Sequence, residues 1–178
     1  MTDSGLYSVV LGCNNFLLKG SSRRSCRPFV VDGVTVGLVR PDFAKAILKS
    51  GDVFVSSETD PRRPISFAPA LVSREQRTAA MAAMLEEWRR QDLFECLRGW
   101  RNETYWVTTG AFNSPPVLTL ERAAVSIFGF RSFGCHLNGY TKDPVTGEIK
   151  MWVGRRSATK PTWPNCLDNF VRTFFPSR

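Results

Sequence analysis

Apolar and polar positions follow two different periods along the chain, and they predict both helices and strands. The apolar run at residues 6–18 has a spacing compatible with a helix, and the basic run at 19–27 predicts a loop. Residues 29–31 and 34–39 are rich in β-branched side chains, and Asp32-Gly33 between them suits the positive φ angles of a tight turn. This pattern predicts a β-hairpin.

The longest helical pattern begins at Ser73. Ser73 and Gln76 match a capping box, in which each residue caps the backbone of the other. Ala80, Met84 and Trp88 then fall on one face of a helix at positions i, i+4 and i+8. Two acidic residues, Glu86 and Glu87, follow within this helix. We expect them to lie on a solvated face, where Glu86 forms an ion pair with Arg90 at i, i+4, and not to act as catalytic acids.

Shorter elements fill the rest of the chain. Pro41 ends the second strand of the hairpin, and Asp42 can begin a short helix. Residues 52–56 and 104–108 are candidate strands, whereas the run at 118–125 predicts a short helix.

A second hairpin is predicted near the end of the chain. Residues 133–140 and 149–153 alternate in polarity around a turn-forming segment at 143–147. The whole pattern predicts an α+β fold in which a new sheet opens near residue 130.

The composition narrows the class of protein and of its partners. With 43% hydrophobic and 22% charged residues, the chain is expected to fold, as one domain or two small ones. The net charge of +8 favours an anionic partner, which could be nucleic acid, a membrane surface or a phosphorylated small molecule. The basic residues stand mainly in predicted loops, and no basic helix or aromatic strand motif is present, so nucleic acid is not expected.

The sequence also bears on location. It has no apolar run of the ~18 to 20 residues that a membrane-spanning helix needs, so no membrane partner is expected. Its first residues lack the order of a secretory signal, which predicts a cytoplasmic protein. A mitochondrial presequence stays open as an alternative, because four basic residues follow the apolar run within residues 19–27.

The cysteines and the histidine suggest no reactive or metal centre. The five cysteines are scattered without a C-x-x-C pair, which predicts reduced and mostly buried thiols rather than a zinc site or disulfides. His136, the single histidine, has no obvious second ligand, so a structural role is favoured.

The strongest candidate site follows the predicted strand at 149–153. Arg155, Arg156 and Lys160 could clamp a diphosphate, because guanidinium forks match phosphate oxygens and a lysine adds a point charge. The indole of Trp163 could stack on a heteroaromatic ring. We therefore name these four as candidate substrate-binding residues. A solvated basic loop, with Trp163 packed on the core, stays open as the alternative.

Six segments together carry a family resemblance: PFVVDG at 28–33, VRP at 39–41, GWRNE at 99–103, LERAA at 120–124, HLNGY at 136–140 and RRSATKPTWP at 155–164. With these motifs the chain resembles the thiamine-pyrophosphokinase-like Nudix hydrolases, from Cys13 to Val171. The resemblance implies an accessory α+β domain over residues 1–125. Residues 126–178 would then form the first strands of an incomplete Nudix α/β/α sandwich.

The resemblance also implies a chemistry. Family members are expected to hydrolyse a diphosphate link, in damaged thiamine diphosphate or in oxidised nucleotides. They use Mg²⁺ held by glutamates of the Nudix box, a motif with the pattern G-x5-E-x7-R-E-x-x-E-E. The substrate-binding residues would then recognise a phosphorylated small molecule, either a thiamine diphosphate analogue or a nucleotide.

The Nudix box is not found in the 178 residues. Arg74-Glu75 is the only Arg-Glu pair, and no Glu-Glu follows it at the required spacing; the sequence also departs from the family pattern at Asn165, at Cys166 and after Val171. We therefore expect a truncated member of the family, without catalytic residues, a metal site or a bound cofactor of its own. It would keep at most affinity for the substrate. The alternative is a non-catalytic domain that binds a ligand or a partner.

Overall fold

A computed structural model describes residues 4–13, 19–57, 62–111, 114–160, 163–169 and 171–174. It confirms the predicted α+β class. The chain divides into two compact units, residues 1–131 and residues 132–178, and each is described by itself. Within the described ranges, no helix is both long and apolar enough to span a membrane.

The first unit is built on a four-stranded sheet with the strand order β2-β1-β4-β3. Its strands are β1 (Arg27–Val31), β2 (Val34–Val39), β3 (Phe54–Ser56) and β4 (Ile65–Phe67). The β1 and β4 strands run parallel, and the other neighbours are antiparallel.

The predicted first hairpin is confirmed. Val31 pairs with Val34, and the two residues between them, Asp32 and Gly33, have φ angles of 49° and 78°. Two successive positive φ angles match the right-handed twist of the flanking strands, which is why an Asp-Gly pair closes this turn.

Four α-helices belong to the first unit within the described ranges. They are α1 (Ser4–Cys13), α2 (Pro41–Ile47), α3 (Arg74–Arg90) and α4 (Val125–Phe128). The predicted helix at residues 6–18 is confirmed as far as Cys13, and residues 14–18 lie outside the described residues.

Helix α3 begins with the predicted capping box. The Ser73 hydroxyl accepts a hydrogen bond from the Gln76 amide at 3.2 Å, and the Gln76 side chain accepts one from the Ser73 amide at 2.9 Å. Met84 and Trp88 on the predicted face are buried. The predicted ion pair of Arg90 with Glu86 is wrong, since Arg90 pairs with Glu87, three residues before it.

The predicted helix at 118–125 is also wrong. Residues Pro116–Glu121 form strand β6, which pairs antiparallel with strand β5 (Thr104–Thr108) and packs against α3. Three successive residues of β6, Leu118 to Leu120, are buried, so this strand shows no alternation of polarity. An apolar run of this length suits a covered strand as well as a helix, and the pairing with β5 decides between them.

The core of the first unit centres on Phe29, which is fully buried. Its ring makes edge-to-face contacts with four other phenylalanine rings, at centroid distances of 5.1 to 5.7 Å. These rings belong to Phe54, Phe67, Phe128 and Phe130. Edge-to-face contacts between aromatic rings stabilise the core beyond the effect of burying their apolar area.

The segment after α4 closes the core by passing very close to β2. The Leu38 amide donates to the Gly129 carbonyl at 3.1 Å, and the Arg131 amide donates to the Val36 carbonyl at 3.2 Å. A Cβ atom on Gly129, whose φ is +57°, would lie 2.0 Å from the Leu38 carbonyl oxygen. A Cβ atom on Gly37 would lie 2.5 Å from the Phe128 carbonyl oxygen. Both positions therefore require glycine.

A buried arginine ties the hairpin turn to α3. The Arg77 side chain is 9% exposed, and its guanidinium donates to both carboxylate oxygens of Asp32, at 3.0 and 2.6 Å. Its Nε also donates to the Leu71 carbonyl at 3.1 Å. The hydrogen bonds from Arg77 lower the pKa of Asp32. This paired geometry lets a charged group occupy a buried position.

Within its described residues, the second unit contains three two-stranded ribbons. Strands β7 (Gly134–Leu137) and β12 (Val171–Phe174) form one, β8 (Tyr140–Lys142) and β9 (Ile149–Met151) the next, and β10 (Gly154–Arg155) and β11 (Leu167–Asp168) the third. The pairing of β8 with β9 confirms a hairpin around 143–147. However, residues 134–137 pair with β12 and not within that hairpin, so the predicted single strand at 133–140 is wrong.

The prediction of mostly buried cysteines is wrong as well. Cys13 and Cys166 are exposed, and Cys26, Cys96 and Cys135 are half-buried. All five are free. Burial raises the pKa of the Cys26 and Cys96 thiols, which disfavours their thiolate forms.

The close passage at Gly129 gives a stability prediction. We expect Gly129→Ala to lower the free energy of unfolding by about 2–4 kcal/mol, because left-handed strain and a steric clash add together. Gly33→Ala is the matched control, since Gly33 also has a positive φ but a Cβ there meets nothing within 4 Å. The control should lose only about 1 kcal/mol. Equal losses in urea unfolding would contradict the clash.

The Asp32–Arg77 pair predicts a pH dependence. Because the pKa of Asp32 is lower in the folded state, its contribution to stability is present above the unfolded pKa of about 3.9 and disappears as pH falls through the folded value. We expect Asp32→Asn to destabilise the protein by about 1–2 kcal/mol at neutral pH, since Asp32 is partly exposed. The loss should vanish in acid. Asp92→Asn, which alters an exposed pair with Arg98, should change stability less. Urea unfolding at several pH values measures both.

Candidate functional site

The predicted substrate-binding residues lie on and beside one loop of the second unit. Strand β10 pairs with β11 so that Gly154 faces Asp168 and Arg155 faces Leu167. The Arg156 amide donates to the Cys166 carbonyl at 2.9 Å and extends this pairing by one step. We call residues 155–168 the basic loop; residues 161 and 162 within it lie outside the described part of the chain.

The two arginines hold the returning side of the basic loop. An Arg155 Nη1 donates to the Asn165 carbonyl at 2.7 Å. The Arg156 guanidinium donates from Nε to the Trp163 carbonyl at 3.1 Å and from Nη1 to the Asp168 carboxylate at 2.5 Å. The Arg156 side chain is only 16% exposed, whereas Arg155 is exposed. Arg156 therefore positions the loop.

The other two predicted residues are open to solvent. Lys160 is exposed, and its amide donates to the Ser157 carbonyl at 3.2 Å in a short turn. Trp163 is 72% exposed and has a left-handed φ of 51°. The alternative prediction, in which Trp163 packs on the core, does not agree with the structure, because the indole is exposed to water.

A polar network continues from Asp168. Its carboxylate accepts a hydrogen bond from the Asn169 amide at 2.9 Å. The Asn169 side chain lies 2.8 Å from His136 Nδ1 and donates to the Asn138 side chain at 2.5 Å. His136 thus takes part in a chain of hydrogen bonds.

Asp168 and Asn169 are not among the site residues predicted from the sequence. Asp168 lies twelve positions after Arg156, and such an ion pair leaves no periodic signal because it forms across two strands. The adjacent arginines, Arg155 and Arg156, were the signal in the sequence that an acidic partner lies nearby, since a half-buried arginine in a loop needs an anionic partner.

In the first unit, the structure brings together two of the segments that carried the family resemblance. The Glu121 carboxylate accepts hydrogen bonds from the amides of Arg101 and Ala123, at 3.1 and 3.0 Å. Arg122 forms an ion pair with Glu103 and donates from its amide to the Glu103 carbonyl at 2.8 Å. Segment 99–103 is thereby fixed to segment 120–124.

A cleft of about 290 Å³ lies beside these joined segments, and α3 forms one of its walls. Trp100 lines the cleft, and the Arg89 guanidinium lies 4.8 Å from the centre of its ring. The Trp100 indole N–H donates to the Asn102 side chain at 2.9 Å. The remaining lining residues are Ala82, Leu85, Glu86, Glu103, Thr104 and Glu121.

Mg²⁺ is the metal that the family resemblance implies. Over the described residues, no group of three or more histidine, cysteine or acidic side chains is placed to hold a metal ion. The described donors therefore do not fit Mg²⁺, and we derive no step through it.

Comparison with known proteins gives a family and several relatives. A family model described as Domain of unknown function (DUF4743) matches residues 6–132. Nudix hydrolase 20, chloroplastic, of Arabidopsis thaliana is 31% identical over 97% of this chain and 45% of its own length. Nudix hydrolase 24, chloroplastic, of the same plant is 32% identical over 84% of this chain and 39% of its own length.

A fungal protein is also similar. Uncharacterized protein YJR142W of Saccharomyces cerevisiae is 44% identical over 42% of this chain and 21% of its own length. The chain therefore spans less than half of each of these relatives.

The ion pair inside the basic loop gives a local prediction. We expect Asp168→Ala to speed hydrogen exchange at the Arg156 amide by roughly tenfold to a hundredfold, because a charge-assisted hydrogen bond is lost. Asp143→Ala is the control; Asp143 accepts from the Val145 and Thr146 amides, which lower its pKa, so its effect should stay near 143–147. Exchange followed by mass spectrometry tests this. Unchanged exchange at residues 155–168 in Asp168→Ala would show that the pair does not hold the loop.

Proposed function

Because the chain belongs to the DUF4743 family and is homologous to plant Nudix hydrolases over most of its length, we propose that it binds a phosphorylated small molecule through the basic loop. We propose substrates with a diphosphate link joined to a heteroaromatic ring, as in thiamine diphosphate analogues or oxidised nucleotides. The observation that carries the proposal is the exposure of a guanidinium, an ammonium and an indole on one loop.

Each exposed group has a defined part in this proposal. Arg155 and Lys160 contact phosphate oxygens, since both carry a positive charge at the surface of the loop. Trp163 stacks on the ring of the ligand. Arg156 acts through Asp168 and the Trp163 carbonyl, and so positions the loop without needing to touch the ligand.

We propose binding without bond cleavage for the 178 residues taken alone. Nudix hydrolysis rests on the glutamates of the box, and these residues do not contain that motif. Membership of the thiamine-pyrophosphokinase-like group and a Nudix sandwich over residues 126–178 remain predictions. So does a cytoplasmic location; the two plant relatives carry the word chloroplastic in their names.

Titration with thiamine diphosphate and with thiamine tests the proposal. We expect the diphosphate to bind at least about tenfold more tightly, and the preference to shrink about tenfold in Arg155→Gln and in Lys160→Gln. Lys150→Gln is the matched control, because Lys150 is an exposed lysine of the same unit outside the basic loop. Trp163→Ala should weaken the binding of both ligands, since stacking does not depend on the phosphates. Calorimetry supplies the affinities.

Two results would contradict the proposal. Equal affinity for thiamine and its diphosphate would show that contacts to the phosphates do not contribute to binding. Release of phosphate by this chain in the presence of Mg²⁺ would show that cleavage does not need the Nudix box. The second candidate function, ligand binding by the first unit, is favoured by the cleft beside Trp100. Binding that survives every change in the basic loop but is lost in Trp100→Ala would support that candidate.

A further inference from the structure

Helix α1 exposes apolar side chains on the surface of the first unit. Tyr7, Val9 and Val10 are 66%, 60% and 53% exposed, and Leu11 is 38% exposed. Every residue from Tyr7 to Cys13 is exposed. A run of exposed apolar residues of this kind marks an interaction surface.

The helix presents a continuous apolar stripe. Tyr7, Val10 and Leu11 share one face, because residues three and four apart are neighbours on a helix. No charged residue interrupts Ser4–Cys13. The ten residues span only about 15 Å, which is too short to cross a bilayer of about 30 Å. Taken alone, the described residues of α1 are therefore suited to lie at the surface of an apolar phase rather than to cross it.

Basic residues follow the helix at once. Residues 4–31 contain four basic residues, Lys19, Arg23, Arg24 and Arg27, and no acidic one. Lys19, Arg23 and Arg24 are exposed, and the two arginines stand in a short 3₁₀ helix at Ser22–Ser25. Five residues separate Cys13 from Lys19 in the sequence, so the Cα atoms of these two residues lie within about 22 Å of each other.

We propose that α1 and the 3₁₀ helix together dock on an anionic lipid surface. The apolar stripe enters the boundary between headgroups and acyl chains, with the Tyr7 hydroxyl toward water, and the basic residues face the anionic headgroups. The sequence led us to expect no membrane partner because no run can span a bilayer, but docking at the surface needs no spanning run. Binding to nucleic acid would explain the basic residues, but it would give the exposed apolar stripe no role.

Co-sedimentation of the whole chain with lipid vesicles tests this proposal. We expect binding to vesicles of phosphatidylcholine and phosphatidylserine in equal parts, and at least tenfold weaker binding to phosphatidylcholine alone. A basic residue near such a surface strengthens binding about fivefold, so Arg23→Glu with Arg24→Glu should weaken binding by more than tenfold. Val10→Asp should weaken it by a similar factor, because a charge then enters the apolar stripe.

Two controls make the result specific. Arg74→Glu with Arg131→Glu produces the same net charge by changing exposed arginines elsewhere in the first unit, and should change binding less than threefold. Val72→Asp alters a valine outside α1 that is 70% exposed, more than the 53% of Val10, and should leave binding intact. Circular dichroism and thermal melting confirm that each variant is folded.

Three outcomes would overturn the proposal. One is equal binding to neutral and anionic vesicles, and another is equal loss in both double charge variants, which would reduce the effect to net charge. The third is tight binding to a single-stranded oligonucleotide that Arg23→Glu with Arg24→Glu abolishes and Val10→Asp leaves unchanged. That result would assign the basic segment to nucleic acid.

Discussion

The fold of the first unit depends on the close passage of residues 128–130 across strand β2. Two main-chain hydrogen bonds fix this crossing, and two glycines make room for it, at Gly37 and Gly129. The crossing delivers Phe128 and Phe130 to the ring of Phe29, so the last segment of the unit completes a core that the first hairpin begins. Because these contacts join the start and the end of the unit, both segments are needed to complete the core.

Local chemistry explains which elements the sequence predicted correctly. The Asp-Gly turn at 32–33 and the capping box at Ser73 are short signals whose physics is complete within a few residues. The run at 118–125 failed because its polarity pattern carries no information about the partner strand β5. The strand predicted at 133–140 failed for the same reason, since β12 pairs with only part of it.

The candidate site stays a prediction. Residue types define the basic loop in the sequence, and the structure places Lys160 and Trp163 at its surface. The sequence could not show that Arg156 is held inside the loop while Arg155 is exposed, because this difference depends on the contact of Arg156 with Asp168 across the ribbon. A sequence shows which charged residues lie near a site, whereas the fold decides which of them form ion pairs.

The two units differ in how they bury apolar area. Buried apolar residues are numerous in the first unit, whereas most of the large apolar side chains described in residues 132–169 lie at the surface, including Tyr140, Trp152 and Val145. The heat capacity change of unfolding comes mainly from apolar surface that is exposed to water. Among the described residues, most of the heat capacity change that a calorimeter records on unfolding therefore comes from the first unit, whose core is packed around Phe29.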